Sequence, residues 1–202
     1  MARIIYGVQC TGHGHAMRAL TVARKFPEHE FLFVSDGDGY ELLQPRYPVV
    51  RCPNPESPVR QHRIRLIPAI ISNLKLHPRR GSHIRSILEV MDRFQPDVAI
   101  TDYEHFVPLA SRRAGLPCVS LDHQHVVTCA VHDLPAVHQP GQVLMSLAIK
   151  LLFDQTQAHV ITSFFQPPLK PKAKAWLFPP LLRQIVLEKS ARSGEHVLAY
   201  YG

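Results

Sequence analysis

Short apolar runs alternate along this chain with stretches whose apolar positions recur at helical spacing. "RIIYGVQ" reads as a buried strand and feeds a helix that starts near His15 and runs through "ALTVARKF". "EFLFVS" reads as a second strand, closed by "DGDG", and "PVVRC" as a short third. In "GSHIRSILEVMDRF" the residues Ile84, Ile87, Leu88, Met91 and Phe94 share one helical face. "PDVAITD" is a buried strand ending at Asp102, and "FVPLASRRAG" a helix with Gly115 as its stop. "LPCVSLD" is a further strand, "QVLMSLAIKLLF" a strongly apolar helix, and "AHVITSF" and "EHVLAYY" read as strands. This alternation predicts an α/β fold: a doubly wound, mostly parallel, Rossmann-like sheet with helices on both faces.

Ligands of such sheets bind at the carboxyl ends of the strands. Polar clusters fall there: "CTGHGH", "DGDG", "DYEH" and "DHQH" each follow an apolar run. From about Phe165 the texture turns rich in proline and lysine. The expected organisation is a Rossmann-like domain over 1–165, a linker over 166–195, and over 196–202 the first strand of a further domain.

Composition narrows the picture. No apolar run reaches the ~18 residues that span a bilayer, and the start shows no signal-peptide pattern. The four cysteines, Cys10, Cys52, Cys118 and Cys129, are scattered and read as reduced thiols, not a disulfide frame or a zinc site. A cytoplasmic location is expected. The net charge of +7 is local. Between Glu56 and Glu89 there is no acid, while Arg60, Arg63, Arg65, Lys75, Arg79, Arg80 and Arg85 fall in that window. Such a patch suits an anionic partner.

"TGHGHAMR" is the chemically richest stretch, and it has four readings. As a dinucleotide fingerprint it is incomplete, because the third glycine falls at Met17. As a Walker loop it lacks Gly-Lys-Ser/Thr. As a metal clip, His13 and His15 form one H-x-H pair and His123 and His125 another, with Asp102 and Asp122 in reserve. A metal-dependent hydrolase is therefore one alternative, although His15 in a first helical turn breaks the extended geometry that the pair needs. As an acid–base site, glycines let the backbone turn and approach a ligand, and an imidazole at the helix start accepts a proton. Asp102 is the candidate carboxylate to hold its other nitrogen.

The stretches "GVQCTGHGHAMRALTVARKF" and "PDVAITDYEHFVPLASRRAGLPCVSLDHQH" resemble the N-terminal half of a GT-B glycosyltransferase. They are most similar to bacterial lipid-linked N-acetylglucosaminyltransferases. The likeness covers roughly residues 3–125. It implies an acceptor-binding domain facing a second, donor-binding domain that this chain lacks, so the chain alone should not transfer sugar. It implies His15 as base or acceptor-positioning residue, Asp102 as its partner, and Gly12, His13, Gly14, His123 and His125 around the acceptor. It implies a nucleotide-sugar donor, a UDP-sugar above all, with no permanently bound cofactor and no metal. Cys10 stands where the family has glycine. The implied partner is a sugar or lipid-linked acceptor.

"RQHRIRLIPAIISNLKLHPRR" fits beside this reading. As a helix it would turn Ile64, Ile67, Ile71 and Leu74 toward lipid and set Arg63, Arg65, Lys75, Arg79 and Arg80 among headgroups, giving a peripheral membrane protein. The alternative is a helix packed on the sheet with its bases solvated. A non-catalytic lipid- or sugar-binding module is the remaining alternative. Nucleic acid is not expected: the patch is poor in aromatics and carries no helix-turn-helix, zinc-finger or RNP pattern.

Overall fold

A computed structural model describes residues 1–55, 59–60, 63–64, 77–190, 192–195, 197 and 199. Strands β1 (Arg3–Val8), β2 (Glu30–Ser35) and β3 (Val49–Arg51) are joined by helices α1 (His13–Lys25) and α2 (Gly37–Leu43). A two-residue antiparallel pair follows, β4 (Val59–Arg60) with β5 (Arg63–Ile64). Then come α3 (Arg80–Phe94), β6 (Val98–Asp102), α4 (Phe106–Ala114), β7 (Cys118–Asp122), the short α5 (Val126–Cys129) and α6 (Gln139–Leu152). Strands β8 (Ala158–Thr162) and β9 (Ala175–Phe178) and the short α7 (Gln184–Leu187) complete the described elements.

Seven strands form one sheet in the order β3-β2-β1-β6-β7-β8-β9, with every pairing parallel. Strand β1 shows why both faces are covered. Alternate residues point opposite ways, and Ile4, Tyr6 and Val8 pack with Ala16, Ala19, Leu20 and Ala23 of α1. Ile5 packs with Ile84, Ile87 and Met91 of α3 and with Phe106, Val107 and Ala110 of α4. Gly7 sits on that second face for a steric reason. A Cβ there would lie 2.7 Å from a Glu104 carboxylate oxygen and 2.9 Å from a Val107 methyl. Gly115 ends α4 in the left-handed region, at φ 68°.

The doubly wound sheet is as the hydrophobic pattern predicts, with three differences. "DGDG" opens a helix instead of closing a strand, because Asp36 takes the extended N-cap conformation and Asp38 lies in the favourable first turn. Residues 175–178, expected in a linker, are the edge strand of the same sheet, so the sheet extends past residue 165. The basic stretch does not begin as a helix: its first part is the β4–β5 pair, and a short 3-10 turn at His77–Arg79 precedes α3. The rest of that expected helix, Arg65 and Lys75 included, lies outside the described residues, as does most of the expected strand over 196–202. Arg79 and Arg80 are exposed. No helix of the described residues is long and apolar enough to cross a membrane.

Candidate functional site

The connection from β1 turns outward to β2, and the chain returns to β6 on the other side of β1. Strand order therefore reverses between β1 and β6, and ligands of open α/β sheets bind in the crevice beyond such a point. Here β1 delivers the loop 9–12 and the start of α1, while β6 delivers Asp102. Gly12 carries the turn, at φ 80°, and its N–H donates to Asp38 (3.0 Å), tying the loop to α2.

His15 Nδ1 lies 2.7 Å from Asp102 Oδ1. Arg18, three residues further on the same helix, donates from Nε to Asp102 Oδ2 (2.7 Å) and from Nη2 to Oδ1 (3.3 Å). Its Nη1 reaches Thr162 Oγ1 at the end of β8 (2.9 Å). The Asp102 side chain is 0 % exposed. A carboxylate gripped by a guanidinium is acceptor-only, so His15 donates from Nδ1, and the neutral ring has its lone pair on Nε2. The side-chain amide of Gln124, 3.4 Å from that Nε2, agrees with this tautomer. Burial works against the Arg18 charge, and Asp102 outweighs it, so the Arg18 pKa is raised.

The shell behind this pair is tightly specified. Tyr103 stacks on Phe153 (centroids 3.8 Å) and lies parallel to His15 (6.3 Å), with its backbone at φ 56°, rare for a side chain of this size. Asn54 clamps both loops, donating to Gln9 Oε1 (2.7 Å) and the Tyr103 carbonyl (2.9 Å) and accepting the His105 N–H (2.9 Å). Glu104, fully buried, accepts the N–H groups of Phe106 (2.7 Å) and Val107 (2.6 Å) at the start of α4. Burial pushes its pKa up to about 7 against those bonds.

A cleft of about 400 Å³ lies along α1, lined by Gly14, Met17, Arg18 and Thr21 on one wall. His123, Thr162, Phe164 and the segment 180–183 with Val186 complete it. A Cβ at Gly14 would meet nothing within 4 Å, so this glycine widens the mouth. His123 donates from Nδ1 to the Thr162 carbonyl (2.9 Å). His15 stands beside this cleft, turned toward Asp102, and is not among its lining residues.

The residues singled out by sequence thus part company. His15 and Asp102 meet; Gly14 and His123 line the cleft; Gly12 carries the turn before α1; His13 is exposed at the first helical position. His125 is the correction. It is 1 % exposed and turned inward, its Nδ1 2.6 Å from Asp122 Oδ2, so it is not placed to touch an acceptor. Neither H-x-H pair converges: His13 and His15 diverge on the first helical turn, and the turn after β7 sends His123 outward and His125 inward. The sequence reading missed Arg18, Tyr103, Gln124 and Asn54. Only Arg18 left a signal, its i,i+3 spacing from His15.

The family described as glycosyl transferase family 1 matches the chain over residues 2–202. Comparison with curated protein sequences finds no match. Among solved structures, Acinetobacter baumannii MurG superposes with a TM-score of 0.51 at 13% identity, covering 87% of this chain and 44% of that one. Phytolacca americana UGT2, complexed with UDP-2-fluoro-glucose and pterostilbene, gives 0.55 at 15%, covering 91% and 54%. Arabidopsis thaliana UGT89C1, complexed with UDP-L-rhamnose, gives 0.57 at 12%, covering 91% and 53%. The chain spans about half the length of these structures. At such identities the likeness establishes the fold.

Proposed function

The chain belongs to glycosyl transferase family 1 and has the fold of the N-terminal domain of a GT-B enzyme, and on that premise we propose that it carries the acceptor half of a nucleotide-sugar-dependent glycosyltransferase. The observation that carries the reading is the 2.7 Å contact of His15 Nδ1 with the buried Asp102 at the reversal of strand order. That contact makes Nδ1 the donor, so in the neutral ring the lone pair lies on Nε2, the atom a general base uses.

In this reading His15 Nε2 takes the proton of an acceptor hydroxyl as its oxygen attacks the anomeric carbon of the donor sugar. The bond from that carbon to the diphosphate breaks, and the nucleoside diphosphate leaves with the electron pair. Asp102 stabilises the imidazolium that forms, while Arg18 keeps Asp102 in place. His123 and Gly14 border the acceptor. UDP-sugars, seen bound to the plant relatives, are the proposed donor class, held by a second domain. A lipid-linked or polysaccharide acceptor and a peripheral membrane site would give the basic segment 60–85 a partner.

The test is sugar transfer from UDP-sugars by the longest reading frame that contains residues 1–202. His15→Ala is expected to lose on the order of 10²–10⁴ in turnover, with His125→Ala retaining it per folded molecule. Undiminished transfer by His15→Ala removes the base assignment. Sedimentation with anionic liposomes addresses the membrane part. Charge reversal at Arg79 and Arg80 should weaken it, and equal sedimentation would discard it.

A further inference from the structure

A second cluster lies behind the turn after β7, away from the crevice. His125 at the start of α5, Asp154 in the loop after α6 and His159 in β8 each offer one ligand atom, and these atoms lie within 4.8 Å of one another. Asp154 Oδ1 is 3.2 Å from His159 Nε2, and the two imidazoles stack at 4.2 Å. Asp122, fully buried, accepts from both the backbone N–H of His125 (2.9 Å) and its Nδ1 (2.6 Å). Ser120 Oγ lies 2.9 Å from His159 Nδ1.

The decisive atom is His125 Nε2. It is buried and has no hydrogen-bond partner among the described residues. Neither protonation state satisfies it. A protonated ring would bury an N–H with nothing to accept it, and a neutral ring would bury a lone pair with nothing donating. Each arrangement costs about 1–3 kcal/mol. A divalent cation between the three groups removes the conflict. The surroundings are those of a ligating histidine: a carboxylate holds the far nitrogen, which fixes the ring and makes Nε2 the ligating atom.

We propose that His125, His159 and Asp154 form a transition-metal site, with zinc as the best-matched ion. Two imidazoles and one carboxylate suit zinc, which takes nitrogen and oxygen donors at about 2.0–2.2 Å in a tetrahedron and here leaves one position for water. Binding draws the widest ligand spacing in by roughly 1–1.5 Å to reach tetrahedral distances. Asp154 can supply that movement, since it is 31 % exposed and sits on a loop. The ion displaces whatever proton Nε2 of either ring carries. It joins the turn after β7 to the segment 154–159, about thirty residues on, and clamps the turn 123–125, whose Gln124 touches His15 and whose His123 lines the cleft.

The test uses the full chain, stripped with a chelator and titrated with Zn²⁺ and with Co²⁺. One ion per chain is expected, with the intense visible bands of four-coordinate cobalt and a rise in thermal midpoint on zinc addition. Asp154→Asn, an isosteric change at a partly exposed loop position that should fold, is expected to weaken Zn²⁺ at least tenfold and abolish the thermal shift. His125→Gln should remove the cobalt bands. His13→Ala, at the exposed histidine, should change nothing. Three results would overturn the proposal: no stoichiometric uptake, as for a ring satisfied by water; uptake unaltered by both site variants; or uptake lost in His13→Ala.

Discussion

Two neighbouring parallel strands, β6 and β7, each end in a fully buried aspartate, and each aspartate grips the Nδ1 of a histidine. Asp102 holds His15 and Asp122 holds His125, yet the two pairs have opposite fates. The difference lies in where the histidine stands on the chain. His15 comes from another element, the start of α1, and its Nε2 lies within 3.4 Å of the Gln124 side-chain amide. His125 lies three residues after its own aspartate, in the turn that follows β7, and its Nε2 is buried. The same dyad chemistry thus serves an outer face in one case and an interior in the other. The counter-charge follows suit: Arg18 braces Asp102, while Asp154 and His159 surround His125.

The hardest blow to this contrast is Asp102→Asn against Asp122→Asn. Each leaves a buried cationic or polar partner unmatched, and each is expected to cost about 3 kcal/mol of unfolding free energy in urea. Only Asp102→Asn should also depress turnover per folded molecule, on the order of a hundredfold or more. An equal loss in Asp122→Asn would mean that the inner pair also serves the reaction.

Glu104 gives a smaller, pH-dependent effect. Its folded pKa, about 7, is raised by burial, so between about pH 4.5 and 7 the folded chain keeps a proton that the unfolded chain has released. Stability therefore falls as pH rises through that window. Glu104→Gln cannot ionise and should flatten the profile, removing on the order of 1–3 kcal/mol of difference between pH 4.5 and 7.5. Parallel profiles for the two proteins would show that Glu104 is charged throughout.

The smallest expected effect is at Gln124. Its contact with His15 Nε2 is long, 3.4 Å, and an incoming hydroxyl must displace it. Gln124→Ala should shift KM by less than about threefold with kcat retained. A collapse of kcat would make Gln124 a donor in the reaction and sharpen the outer pair into a triad.

The strands and main helices were legible because buried parallel strands are apolar throughout and their helices show one apolar face. Strand β9 was hidden by its position. An edge strand is half exposed, and Trp176 and Phe178 remain open among lysines and prolines, so its alternation is short and its surroundings read as linker. Helix α2 was hidden because Asp and Gly signal a turn and a helix start alike. His15 and Asp102 were legible as a histidine after a glycine turn and an acid at a strand end. The direction of His125 was not, because two residues apart means the same face in a strand and different faces in a tight turn. Arg18, Tyr103 and Asn54 gain their meaning only from segments brought in across the sheet.

His15 and Asp102 are 87 positions apart in sequence, and β1, which leads into the helix that carries His15, pairs side by side with β6, which ends at Asp102. Between them the chain makes β2, α2, β3 and α3, all of which can form from nearer neighbours. Closing so long a loop is slow, and its entropic cost precedes the contacts that offset it. The outer pair is therefore expected to assemble late during folding. Spectroscopic labels on α1 and at the end of β6 would time the completion of the whole domain, whereas a label pair across His125 and Asp122, three residues apart, would report only a local turn.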